Sequence, residues 1–273
     1  AALGYIVGGV IGEAYGWRTA FFIAGAPGAV LAFLLLRLTE PPRGARDATS
    51  VGATPLGLGP SLRALASRRS YLVNTAAQVI YTFAMGGLAT WMPTYFVRER
   101  GIALGSAATT FGLLLVAAGF AGTLLGGRIA SAVARRRPGA DFTVSGWSLS
   151  VSILFTFFAV LAPQPAVFWP AMFVTLFLLF INVGPLNAAM ANVLPAELRA
   201  RGFAVTTMLM HLFGDAASPW LIGAESDRIG LRIPVLVTGS LLAAAGVVLL
   251  WGRATLEADL VAMRASASTP REG

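Results

Sequence analysis

The sequence predicts an all-α polytopic membrane protein, a partial helical bundle of eight hydrophobic segments with the first one truncated. Three observations carry that expectation. Hydrophobic residues make up 56% of the chain and charged residues only 12%, about half the charged fraction of an ordinary soluble protein. Several apolar runs reach the roughly 20 residues that a helix needs to cross the hydrocarbon of a bilayer. The net charge of +8 rests on arginine alone, with no lysine in the chain, and the arginines gather in the gaps between apolar runs. Loops flanking membrane spans are placed that way; a nucleic-acid-binding patch is not, and no nucleic-acid partner is expected.

Further classes fall away on the same inventory. Cysteine is absent and there is one histidine, so disulfides and Cys/His metal clusters are excluded and neither metal nor cofactor is expected. No GxxxxGK[ST] loop is present, which argues against an ATP-driven pump. The chain opens at Ala1 inside an apolar stretch without a start methionine, so upstream sequence is expected to be missing.

Residues 1–37 read as two membrane helices separated by Tyr15-Gly16-Trp17-Arg18. In the first, Gly4, Gly8 and Gly12 recur every four residues and form a smooth strip for helix contact. Glu13 falls at the membrane edge. Residues 38–70 change character: proline, glycine, polar residues and five arginines mark a cytoplasmic linker. Within it Ser61 is a candidate cap for a short surface helix over Leu62–Arg69. Residues 71–252 hold six more segments, and 253–273 read as a cytoplasmic, partly disordered tail.

The third segment, Tyr71–Val97, carries a polar stripe. Asn74, Gln78, Tyr81, Thr82 and Met85 follow the i, i+4, i+7, i+8, i+11 spacing of one helix face. Gly86-Gly87 and Pro93 are expected to loosen its outer half. The fourth, about Gly105–Val133, has Gly112, Gly119, Gly122 and Gly126 on one side, a second strip suited to meeting the first. Arg135-Arg136-Arg137 ends it. The fifth, about Phe142–Leu161, carries no evident chemistry. In the sixth, about Val167–Leu194, Pro185 removes a backbone donor in mid-membrane and frees a carbonyl. Of the three asparagines there, Asn187 is selected as the functional one.

The seventh segment organises the rest. Its stretch TTMLMHLFGDAASPWLIGAESD, Thr206–Asp227, contains the single histidine and an aspartate one turn later. At about 100° per residue, Thr207, His211, Gly214, Asp215, Ser218 and Glu225 share one arc of a helix. A charged group at the bilayer centre costs roughly 2.5–3.5 kcal/mol on insertion scales, so this arc should face protein or water rather than lipid. It is either helix glue or the wall of a solute pathway. The eighth segment runs from about Ile233 to Trp251. If the linker is inside, Arg18, Arg98, Arg100, Arg228 and Arg232 lie outside and the other fifteen of twenty arginines lie inside. That bias places linker and tail in the cytoplasm of a cell with this protein in its plasma (or bacterial inner) membrane.

Two helices, a basic central loop and six more helices resemble the C-terminal two-thirds of a major facilitator superfamily transporter, helices five to twelve of twelve. The Gly4-Gly8-Gly12 strip with Gly16-Trp17-Arg18 and Phe21 resembles the superfamily's fifth-helix motif. Gly127-Arg128-Ile129-Ala130-Ser131, then Arg135-Arg136, resembles its loop motif between helices eight and nine, with Ser131 in place of the usual aspartate. A narrower resemblance is to the spinster-like branch, which carries lysophospholipids and sphingoid phosphates. It rests on Thr82-Phe83 and Gly86-Gly87 with Trp91 and Pro93; on Gly184-Pro185-Leu186-Asn187; and on His211 through Pro219 with Gly223 and Ser226-Asp227.

The resemblance implies that Thr82, Asn187 and His211 contact substrate, and that Asp215 orients His211 or serves the outer gate, with Arg128 at the inner one. Together with the stripe, the candidate binding residues are Asn74, Gln78, Tyr81, Thr82, Asn187 and His211. It also implies alternating access without cofactor. The expected partners are a small-molecule or lipid substrate, the bilayer and the absent N-terminal helices of the same chain. A general organic-anion or drug permease is the alternative within transport. An intramembrane enzyme using His211 and Asp215 as acid and base is the alternative outside it.

Overall fold

The computed structural model describes residues 2–38 and 57–268. Eleven α-helices and one π turn account for almost all of them, with no strand among the described residues. They are α1 (Ala2–Tyr15), α2 (Trp17–Leu35), α3 (Leu58–Ala66), α4 (Arg69–Arg100), α5 (Leu104–Ala134) and α6 (Ala140–Leu161). Then come α7 (Pro165–Ile181), α8 (Val183–Val193), α9 (Ala196–Leu209), the π turn Met210–Asp215, α10 (Ser218–Ile229) and α11 (Arg232–Ser268). Taken together, α7 and α8 make one span, and six spans are long and apolar enough to cross a membrane. The other two expected segments are the 14-residue α1 and the composite of α9, π turn and α10.

The spans α4 to α11 pack as one bundle around a shared apolar core. At one end an aromatic cluster joins four of them. Phe96 of α4 lies 6.0 Å from Phe168 and 4.7 Å from Trp169 of α7, ring centre to ring centre, and 6.3 Å from Phe111 of α5. Tyr95 donates its hydroxyl to the Val160 carbonyl of α6 at 2.7 Å, and Arg100 donates to the same oxygen at 2.6 Å. Gly101, with φ +65°, then turns the chain out of α4 in a left-handed conformation that residues with a Cβ avoid.

The glycine strips work differently from the expected pairing. The α1–α5 contact runs along Tyr5, Gly9 and Glu13, one residue around the helix from Gly4, Gly8 and Gly12. Tyr5 packs edge-on against Phe111 at 5.5 Å and donates its hydroxyl to Ala89 of α4 at 2.6 Å. A Cβ on Gly9 would lie 2.7 Å from Thr109 Oγ1, and one on Gly105 would collide with the Glu13 carboxylate. By contrast, no described atom comes within 4 Å of a Cβ on Gly4, Gly8 or Gly12, which instead line an open hollow with Trp17. The second strip does not meet the first. A Cβ on Gly119 would lie 3.5 Å from the Phe180 ring, and one on Gly122 would lie 2.6 Å from the Phe177 carbonyl. Gly119, Gly122 and Gly126 therefore join α5 to α7 inside the bundle, and Gly112 is buried on the same helix.

The reason for that closeness is at the break between α7 and α8. Pro185 has no N–H to give the Ile181 carbonyl, and Gly126 lets α5 close onto that oxygen, which a Cβ there would meet at 2.1 Å. Asn182 at the junction is buried and donates its amide to Leu179 O.

Three other expectations need correction. First, α4 passes through Gly86, Gly87 and Pro93 without interruption. Second, Ser61 is not a cap: α3 starts at Leu58, so Ser61 lies inside it, donates to Gly57 O at 2.9 Å and accepts from Arg201. With Leu65 only 2% exposed, α3 is docked on α4 and α9. The linker residues 39–56 lie outside the described residues.

Third, the helix of the eighth segment does not stop near Trp251 but continues to Ser268. Leu256 is fully buried, and Asp259 accepts from Ser70 N at 3.1 Å and from the Ser70 hydroxyl. That carboxylate supplies from a distance the acceptor that the first turn of α4 lacks locally. Asp259→Ala should cost about 1–2 kcal/mol. It should also speed tryptic cleavage after Arg264 in the otherwise folded protein. Unchanged cleavage and melting would show that the tail is held by Leu256 alone.

Candidate substrate-facing site

In the seventh segment the backbone leaves α-geometry for a π turn. Across Met210–Asp215 the hydrogen bonds step back five residues, as in Ala216 N–H to His211 O at 3.0 Å. Such a π turn carries one residue more than an α-helix, and turns of this kind recur at functional sites. The extra residue re-aims everything after it, so the single arc expected from 100° periodicity is split. Gly214 and Ser218 turn inward against α4, while Thr207 and His211 stay on the open side.

Glycines on both helices bring the π turn onto α4. A Cβ on Gly214 would lie 3.0 Å from Phe83 N and from Thr82 Cβ. In return, a Cβ on Gly86 would lie 2.6 Å from Asp215 Oδ1 and 3.2 Å from Asp215 Cα, and one on Gly87 would strike Ile222. Gly86-Gly87, read from sequence as a loosening element, is thus a contact element. Just beyond it, Trp91 donates its indole N–H to Pro219 O at 2.9 Å and lies over Gly223.

At this crossing His211 Nδ1 meets Asp215 Oδ2 at 2.7 Å, with the two side chains 66% and 41% exposed. An ionisable pair that open, on a hydrophobic segment of a membrane protein, is costly against lipid and favourable against water or a polar surface. Directly behind it Thr82 Oγ1 and Ser218 Oγ are buried and lack hydrogen-bond partners among the described residues. Tyr81 is half-buried, and its side chain adjoins that of Asn182.

The other candidates are placed less uniformly. Asn74 and Gln78 are buried and satisfied: Asn74 donates to Leu186 O of α8 at 2.9 Å, and Gln78 donates to Asn74 Oδ1 at 3.0 Å. They join α4 to α8 and are turned away from the open side. Asn187 is exposed and donates to Val183 O, one turn earlier, at 2.8 Å. The backbones of α8 and the π turn do not approach each other, so the structure does not bring Asn187 and His211 into contact. Arg128 is exposed beside Gly127, whose Cα would lie 3.8 Å from a Cβ on Gly184, and has no ion pair among the described residues. No group of three or more metal-ligating side chains occurs among the described residues.

Sequence reasoning passed over Ser218 as a buried orphan and Asn182 as the residue at the break. Pro185, three residues on, was the signal available for Asn182.

Residues 1–219 match the model of the Major Facilitator Superfamily. The chain belongs to that superfamily. Within it, the chain is similar to protein spinster homolog 1 of Bos taurus, 32% identical over 249 residues, 84% of this chain and 47% of the relative. It is also similar to the probable sphingolipid transporter spinster homolog 2 of Arabidopsis thaliana, 29% identical, covering 84% of this chain and 49% of that one. Among solved structures, the fold resembles a bacterial homolog of the human lysosomal transporter spinster in an inward-facing, unoccupied conformation. That match has a TM-score of 0.73 at 22% identity and covers 89% of this chain and 60% of the other. The superfamily chain described here is a multi-pass membrane protein, and it spans about half the length of the curated relatives it matches.

Proposed function

We propose that this superfamily chain forms one wall of a secondary transporter that works by alternating access, and that its solute is an amphipathic anion such as a lysophospholipid. The observation that carries the reading is the exposed His211–Asp215 pair, at 2.7 Å, on the π turn of the seventh segment. A headgroup phosphate or carboxylate accepts a hydrogen bond from an imidazole N–H, more strongly when the ring is charged. The apolar residues around the pair, Met208, Leu212 and Phe213, are exposed as well and offer surface to a hydrocarbon tail. Similarity to a probable sphingolipid transporter supports a lipid-like solute. Asn187 and Tyr81 are proposed as further contacts, Asp215 as the group that orients His211, and Arg128 as an inner-gate residue. The half of the relatives outside the match is proposed as the opposing wall.

An enzyme at His211 and Asp215 has no support from the family, whose matched members are carriers. A general organic-anion permease differs in one respect, the need for a tail. The full-length protein in liposomes should move a fluorescent palmitoyl lysophospholipid and ignore glycerol 3-phosphate. Equal movement of a short-chain organic anion would favour the permease, and movement of neither would remove the transport reading.

A further inference from the structure

A second cleft, away from the His211 site, opens on the side of the bundle between α4, α10 and α11. Its volume is about 370 Å³. The walls are apolar: Phe83 of α4, Leu221 and Ile222 of α10, and Ile233, Val237 and Leu241 of α11. Ile233, Val237 and Leu221 are 51%, 59% and 42% exposed, so the cleft is open along its length to whatever surrounds the bundle. From Ile233 to Leu241 is eight residues of helix, about 12 Å at 1.5 Å per residue. That apolar wall is long enough to lie along part of an extended hydrocarbon chain.

Its chemistry changes at one end. At the turn between α10 and α11 the lining includes Glu225, with Arg228 paired to it, and Arg232, next to the lining residue Ile233, paired to Glu99 of α4. The pairs are loose: Arg228 to Glu225 is 3.5 Å and Arg232 to Glu99 is 3.9 Å. Close charge-assisted bonds run about 2.7–2.9 Å, so both guanidinium groups keep donors to offer. The start of α11 lies at the same mouth and adds the positive end of its dipole.

We propose that this cleft holds one acyl chain of a zwitterionic phospholipid, its phosphate on Arg228 and Arg232 and its ammonium beside Glu225. The mixed charge at the mouth selects that occupant: an anionic headgroup would meet Glu225 and Glu99, whereas a phosphate and an ammonium satisfy both signs. A membrane helix of another protein is the competing occupant, and it has no use for charges of both signs at one end of the groove. The inference is independent of the transport reading, because none of these residues belongs to the proposed solute site.

The test uses the full-length protein, delipidated in detergent and incubated with palmitoyl-oleoyl phosphatidylethanolamine, with retained lipid counted by native mass spectrometry. Wild type should retain lipid that Val237→Trp and Leu221→Trp, which fill the groove, do not. The double variant Arg228→Ala/Arg232→Ala, at exposed positions that do not threaten folding, should retain it at least about tenfold less. Dioleoylglycerol, which has the chains without the phosphate, should not be retained. Equal retention by the filled variants or by the double arginine variant would overturn the site, as would equal retention of dioleoylglycerol.

Discussion

Gly86→Val should abolish transport by the full-length protein while Gly28→Val leaves it intact. The two glycines look alike in sequence, but a Cβ on Gly28 would meet none of the described residues within 4 Å, whereas one on Gly86 would lie 2.6 Å from Asp215 Oδ1 and 3.2 Å from Asp215 Cα. The carboxylate oxygen can swing aside; the backbone cannot. Even alanine must displace Asp215 and pull it from His211, and valine must push the π turn off α4. Overpacking of this kind costs about 1–3 kcal/mol, so the protein should still insert but melt lower. Gly86→Ala should isolate the functional part, with a transport loss of about tenfold or more and a smaller change in melting. Normal transport by Gly86→Val would mean that the π turn and α4 are not held in contact during the cycle.

His211→Ala should weaken solute binding about tenfold to a hundredfold and scarcely alter stability. The magnitudes separate the two roles. An exposed ion pair four residues apart contributes about 0.3–0.5 kcal/mol, and His211 and Asp215 are 66% and 41% exposed. A hydrogen bond to a charged ligand contributes about 1.5–3 kcal/mol, which converts to the larger figure. His211→Gln keeps a donor and should keep part of the binding. If His211→Ala binds and transports like wild type but melts lower, the histidine is helix glue. Then the arc read from the sequence has a structural purpose only.

How far the sequence revealed these features depends on which physical signal each one leaves. Spans are written in runs of apolar residues, so the helices around Tyr71–Val97, Phe142–Leu161 and Ile233–Trp251 are found at sight. The interruption of the sixth span is legible too, because Pro185 states which N–H is lost. The π turn leaves no such mark. The stretch from His211 to Ser218 keeps a plausible 3.6-residue pattern, and one inserted residue is invisible until the facing surface of α4 is known.

Glycine strips are ambiguous for a related reason. Gly4, Gly8 and Gly12 advertise a smooth face, yet the contact with α5 lies one residue round, at Gly9, where large partners such as Tyr5 and Glu13 share the face. Small residues permit close approach without saying which helix makes it, and so Gly122 and Gly126 were legible as contacts but not as contacts with α7. The helical tail was hidden by its charge: Glu257 and Asp259 suggest solvent, but Asp259 holds the first turn of α4 and Leu256 is buried. Asn74 and Gln78 share a face with Thr82, and only the position of α8 shows that the lower part of that face is covered.

The central claim is that an amphipathic anion rests its headgroup against the π turn, and photocross-linking tests it most directly. A palmitoyl lysophospholipid with a diazirine on its headgroup would be activated in membranes containing the full-length protein, and the labelled peptides mapped. The account predicts label in Thr206–Ala216, with a second portion in Val183–Val193, both removed by excess unlabelled lysophospholipid and the first reduced in His211→Ala. Label spread over α6 and α11 without competition, and absent from Thr206–Ala216, would contradict it.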